Sequence, residues 1–161
     1  MRHPVLFGEY ELTIDDKSRL QIPSEVRRAI KPELHGSALF IVRGINKRPW
    51  IYNEFYWDDL VSKAPQEMTP AFQRLEFDQL HFARASRVEP DKTGRVVLPE
   101  PLLRRSNMKR EVTLIGVRDH LELWNRDEWD AHRDALEARE VEIATASREL
   151  PGGGTNYHPT T

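Results

Sequence analysis

Two arginines stand at the same place in a phrase that the chain states twice. Asp15-Asp16-Lys17-Ser18-Arg19-Leu20-Gln21-Ile22-Pro23 returns as Asp91-Lys92-Thr93-Gly94-Arg95-Val96-Val97-Leu98-Pro99. In each copy an aspartate able to accept backbone N–H bonds is followed by a turn residue, Ser18 or Gly94, and then by Arg19 or Arg95. An arginine at a turn tip is positioned by the strands yet free to reach outward. Its planar, bidentate guanidinium suits phosphate oxygens and the O6/N7 edge of guanine. Lys17 and Lys92 add cations beside the two arginines. The same residues admit a purely local chemistry, in which Arg19 bridges to Asp15 and Arg95 to Asp91 to brace the turn. Duplication copies structural and functional residues alike, so repetition leaves both open.

Other chemistries find little support. The six histidines are scattered. Asp130 and His132 do not face each other on a helix, and His120 with Glu122 on one strand face falls short of a ligand set, so no metal is expected. There is no cysteine, Gly-rich phosphate loop or nucleophile elbow; neither a catalytic residue nor a cofactor is expected.

The elements that must hold the arginines follow from the pattern. Phe7 to Ile14 alternates as a strand, Asp15 to Ser18 turns, and Arg19 to Ile22 is a second short strand, which reads as a hairpin. Pro23 ends strand pairing and suits a helix start, with Ser24 to Ile30 at helical spacing. Two further strands, Ala38 to Arg43 and Trp50 to Asn53, complete a ββαββ unit. The second copy repeats this through Val96 to Leu98, Leu102 and Leu103, Glu111 to Gly116 and Leu121 to Trp124. The first copy carries about four extra residues, placed in a loop at Lys31 to Ser37. Asn53 and Asn125 suit N-caps of the helices that follow. Phe55 to about Leu80 is expected to be helical with interruptions at Ala64-Pro65 and Thr69-Pro70, and Asp127 to about Glu149 to form one C-terminal helix. The matched aromatics, Trp50, Tyr52, Trp57, Trp124 and Trp129, read as core packing rather than base stacking.

Each copy is near the lower limit for a self-sufficient core, which predicts interlocked halves related by a pseudo-twofold. The net charge of −2 hides segregation: Arg84 to Arg110 holds eight basic residues against three acidic ones, and Glu111 to Glu149 eleven acids against five arginines. A basic face on a mildly acidic protein is therefore available to a polyanion. No apolar run approaches membrane-spanning length and no secretory leader is apparent, which predicts a cytoplasmic protein that does not enter membranes.

Asp15 to Arg27 and Asp91 to Arg104, with Val112 to Trp129 and its Leu121-Glu122-Leu123-Trp124 block, resemble the MraZ family of bacterial transcriptional regulators, built from two tandem AbrB-type repeats. The likeness covers roughly residues 5 to 135. It implies an α+β fold, an AbrB-like swapped-hairpin β-barrel of double-psi type formed by two ββαββ repeats with helices after each. The corresponding division is 5–53 first repeat, 54–80 helical linker, 81–124 second repeat, 125–150 C-terminal helix and 151–161 disordered tail. It further implies a ring-like homo-oligomer, associated with the nucleoid, that binds double-stranded DNA at short direct repeats upstream of a cell division and cell wall gene cluster, usually as a repressor. The family's motif arginine falls on Arg19 and Arg95, its preceding basic residue on Lys17, and its helix arginine on Arg27; Arg28 and Lys92 join them as DNA-contact candidates. Two departures stand out. Ser18 replaces the usual Gly in the first turn, and Leu103 stands where Arg27 has its counterpart, so the repeats are expected to contact DNA unequally, the first carrying more. Two alternatives accompany this reading: an AbrB-like antitoxin whose C-terminal segment wraps a toxin, and a pyruvoyl-type barrel enzyme that self-cleaves at Gly36-Ser37, where Gly after a helix is an ordinary C-cap.

Overall fold

The computed structural model describes residues 2–63, 68 and 71–150. The chain divides into two compact units between Arg126 and Asp127. In the first lie β1 (Glu9–Thr13), β2 (Arg19–Gln21), α1 (Ser24–Ala29), α2 (Pro32–His35), β3 (Leu39–Arg43), β4 (Pro49–Asn53), α3 (Glu54–Lys63), α4 (Phe72–Ala83), β5 (Ser86–Val88), β6 (Arg95–Val97), α5 (Glu100–Arg105), β7 (Glu111–Gly116) and β8 (Leu121–Asn125). The second is built from α6 (Arg126–Glu137), which starts at the boundary, and α7 (Glu140–Arg148). It is thus two helices where one was expected. The break at Ala138 and Arg139 has no proline or glycine to announce it.

The strands pair across the duplication. The main sheet is antiparallel in the order β1-β7-β8-β4-β3-β5, and β2 with β6 forms a separate two-stranded ribbon. β1 from the first copy lies on β7 from the second, and β5 from the second lies on β3 from the first. Each copy therefore completes the other's sheet, as the small size of each half predicts. This corrects the expected hairpins: β1 does not pair with β2. The turn closes with one rung, the Asp15 N–H donating to the Arg19 carbonyl at 3.0 Å, after which the strands part to different partners. Leu20 and Val96, at 0% and 1% exposure, face each other in the ribbon and are buried in the core with Ile22 and Leu98. Burying that face outweighs extending the local hairpin. Pro23 and Pro99, lacking an N–H, end the ribbon strands and stand as N-caps of α1 and α5. The ladders give an open six-stranded sheet with a ribbon, in a mixed α+β fold.

The extra residues of the first copy are not a loop but the one-turn helix α2, with Pro32 at its start and Gly36 (φ 88°) at its C-cap. His35 is buried there, its Nδ1 accepting from the Lys31 N–H at 2.9 Å. Asn53 and Asn125, both 1% exposed, reach back instead of only marking helix starts. The Asn53 Nδ2 donates to the His35 carbonyl at 3.2 Å and the Asn125 Nδ2 to the Asn107 carbonyl at 2.9 Å, tying the post-helix connection of each copy to its last strand. α3 ends at Lys63 and α4 runs three residues beyond the expected Leu80; the expected interruptions at 64–65 and 69–70, like the tail 151–161, lie outside the described residues.

Where β4 meets β8, Trp50 opposite Glu122, the two copies share a buried polar network. His120 contacts Asp119 Oδ1 at 2.7 Å and Glu122 Oε2 at 2.9 Å, and stacks on Trp50 with centroids 4.0 Å apart. Glu122 also accepts from Trp124 Nε1 and Asn46 Nδ2, and the Arg48 guanidinium lies 3.9 Å over the Trp124 ring. The aromatics thus hold polar partners as well as filling the core. Burial opposes protonation of His120, but its hydrogen bonds to Glu122 and Asp119 prevail and raise its pKa; burial opposes ionisation of Glu122 and Asp119, and the contacts with His120 prevail to lower theirs. The sign for stability follows. The His120 contribution is fully present below about pH 6.5 and is lost as pH rises through its raised value, whereas the carboxylate contributions are lost on acidification. Urea denaturation should therefore show the stability gap between wild type and His120→Gln narrowing as pH increases above neutrality. A gap independent of pH would contradict the charged pairing.

Candidate nucleic-acid interface

In the ribbon, Arg19 lies opposite Val97 and Gln21 opposite Arg95. Residues directly opposite share a face, as do alternate residues of one strand. Arg19, Gln21, Arg95 and Val97 therefore form one outer face, while Leu20 and Val96 form the inner one. Arg19 and Arg95 are diagonal neighbours, about 7–8 Å apart at their backbones. The other diagonal holds Gln21, exposed, and Val97, 60% exposed. These two escaped sequence reasoning, although their spacing of two from an arginine already placed them on its face.

The turns orient the arginines in the same way. Asp15 Oδ1 accepts from the N–H groups of Lys17 and Arg19, each at 2.9 Å, and its Oδ2 from Arg19 Nε at 2.7 Å. Asp91 Oδ1 accepts from the Thr93 and Arg95 N–H groups at 2.9 and 3.0 Å and from Thr93 Oγ1 at 2.7 Å, and its Oδ2 from Arg95 Nε at 3.2 Å. These bonds, the backbone N–H of each arginine first among them, hold both carboxyls below the usual aspartate range. The bracing role is thus present. It engages only Nε of each arginine; the terminal Nη groups form no hydrogen bond with the described residues. One side chain can brace the turn and still offer a donor pair outward.

The two turns are not equivalent. Ser18 takes φ 58° and Gly94 φ 85°, so both occupy the left-handed region, and Ser18 does so with a Cβ. At Gly94 a Cβ would lie 2.5 Å from Arg27 Cδ, so the flexible end of that arginine would have to shift. Arg27 lies across the second turn from the first copy's helix, its Nε donating to the Ile22 carbonyl at 3.1 Å. At the related positions stand Leu103, which packs against the hydrophobic core, and Ser18, so the arginine beside a bare glycine has no like counterpart in the other half. Gln21 also braces the second turn, its Nε2 donating to the Thr93 carbonyl at 2.7 Å. Beside the first turn, Asp16 pairs with Arg110, whereas its counterpart is Lys92. The second turn is the more heavily braced and the more basic. Lys17, Lys92 and Arg28 are exposed. Gly94→Ala should cost on the order of 1 kcal/mol from φ alone, with a further steric part that Arg27→Ala relieves; a double-mutant cycle in urea showing no coupling would refute that packing.

Among the described residues no group of three or more His, Cys, Asp or Glu could hold a metal ion, and no helix is long and apolar enough to cross a membrane. The family model described as "MraZ protein, putative antitoxin-like" matches residues 5–77 and 81–150, one copy of the phrase falling in each segment. The Transcriptional regulator MraZ of Clostridium tetani is 28% identical over 131 residues, covering 81% of this chain and 89% of that protein. The proteins of the same name from Halothermothrix orenii (28% over 146 residues, 91% and 99% covered) and Desulforamulus reducens (26% over 140 residues, 87% and 95% covered) are similar over nearly their whole lengths. All three are named as regulators, not enzymes.

Proposed function

The chain belongs to the MraZ family, and from that premise we propose that it is a transcriptional regulator that reads duplex DNA with the outer face of the β2–β6 ribbon. The observation that carries this reading is the pair of arginines on that face, each braced by its own aspartate through Nε, with Nη groups that form no hydrogen bond among the described residues. A two-stranded ribbon fits the DNA major groove, where arginine pairs with guanine, glutamine with adenine, and an apolar side chain meets the thymine methyl. Arg19, Arg95, Gln21 and Val97 supply those chemistries, and Lys17, Lys92 and Arg28 supply phosphate contacts. Arg27 acts chiefly by supporting the second turn. The exchange of β1 and β5 between copies supports the swapped-hairpin barrel that the resemblance implies.

One chain offers few phosphate contacts, and salt erodes each of them. Useful affinity requires several subunits on repeated sites, in keeping with a ring-like homo-oligomer acting at short direct repeats. On this reading the protein is a nucleoid-associated cytoplasmic repressor of a cell division and cell wall gene cluster. Genome-wide mapping of bound DNA tests the whole reading: a short repeated element upstream of such genes is expected, and absence of any enriched element would overturn it. One observation favours the antitoxin alternative, the exposed Val141, Ile143 and Leu150 of the second unit; a stoichiometric partner protein co-purifying from the host would support it.

A further inference from the structure

Arg43 at the end of β3, Arg84 at the C-cap of α4 and Arg105 in the last turn of α5 line a single cleft of about 240 Å³. Its other walls include Ser86, Pro99 and Leu102, and no acidic residue lines it. Arg87, nearby on β5, pairs with Glu54 and Glu89; Arg43, Arg84 and Arg105 pair with no carboxylate among the described residues. Three arginines lining one concavity, none paired with a carboxylate among the described residues, repel one another and focus positive potential into it. A multiply charged oxyanion relieves that repulsion, since guanidiniums donate in pairs to its oxygens.

We propose that this cleft binds a phosphate group. A groove of about 530 Å³ adjoins it, shares Arg43 and Arg84, and is lined by Trp50, Tyr52, Phe77 and Leu80. That groove suits the planar or apolar body of a small phosphorylated molecule, and so favours a free phosphate ester over the DNA backbone as the source of the phosphate. The cleft lies at the Pro99 end of β6, away from the Arg95 turn.

The test uses the full chain and inorganic pyrophosphate as the probe, by isothermal titration calorimetry at constant low ionic strength, with Arg84→Gln and Arg105→Gln as variants because both side chains sit at helix ends. Wild type should bind, and each variant should bind at least about tenfold more weakly. Failure of wild type to bind, or equal affinity in wild type and the double variant, overturns the proposal. A second arm measures random-sequence duplex DNA. Unchanged duplex affinity in variants that have lost pyrophosphate identifies a free ligand; weakened duplex binding, with pyrophosphate competing, identifies the backbone as the source. Pyrophosphate and duplex are read separately, so this proposal and the proposed function fail independently.

Discussion

Arg95→Ala should lower affinity for the preferred duplex by roughly five- to 150-fold, the equivalent of losing one bidentate contact worth about 1–3 kcal/mol, and should relax base preference at one position. Arg19→Ala should do the same at a neighbouring position. The double variant should fall near the level of random DNA, with coupling because the two side chains are diagonal neighbours. The fold should survive both changes. Without Arg19, Asp15 still accepts from two backbone N–H groups, and without Arg95, Asp91 keeps Thr93. Exposed lysines behave differently: Lys17→Ala or Lys92→Ala should weaken all sequences alike and make the salt dependence shallower by about one unit. Mobility shifts at several salt concentrations, with circular dichroism and light scattering on the same samples, separate these outcomes. Full affinity in an Arg19→Ala, Arg95→Ala double variant that keeps the fold and the wild-type scattering mass would remove the ribbon face from consideration.

The largest effect on stability should come from Leu20→Ala. Leu20 is fully buried in the face of the ribbon opposite the arginines, and truncating such a residue costs about 2–5 kcal/mol, a sizeable share of the roughly 5–15 kcal/mol that holds a domain together. Because β1 and β5 are exchanged, the first unit should lose both copies in a single transition. Tryptophan fluorescence and far-ultraviolet circular dichroism should therefore give coincident urea midpoints, shifted together in the variant. Two separated transitions that persist when the chain is followed without the α6–α7 signal, or a loss under about 1 kcal/mol, would contradict the interlocked core.

Much of this was legible in the sequence, and what was missed has definable causes. The phrase around Asp15 and Asp91 marked the turns and their arginines because aspartate, a positive-φ residue and arginine report local geometry. Alternation in Phe7 to Ile14 and Arg19 to Ile22 marked strands but not partners, since an amphipathic strand is satisfied by any sheet edge; pairing with the other copy is settled by burial of Leu20 and Val96. Gln21 and Val97 were overlooked because neither type stands out alone, and only register puts them between the arginines. Bracing and outward contact were set against each other when they use different nitrogens of one guanidinium. Leu103 marks the missing counterpart of Arg27, and only the fold shows that Arg27 also packs against the bare Gly94 of the other copy's turn.

The exchange of β1 and β5 within one covalent chain has a consequence for the kind of message such a surface can read. Two separate identical chains joined this way would have a true twofold and would be confined to palindromes. Here each half drifts on its own: Val97 stands in the second copy where Gln21 stands in the first, Lys92 where Asp16 stands, and Leu103 where Arg27 stands. Fusion keeps the architecture of a symmetric dimer while freeing its grammar, so that on the proposed reading a word need not read the same on both strands and can be repeated head to tail.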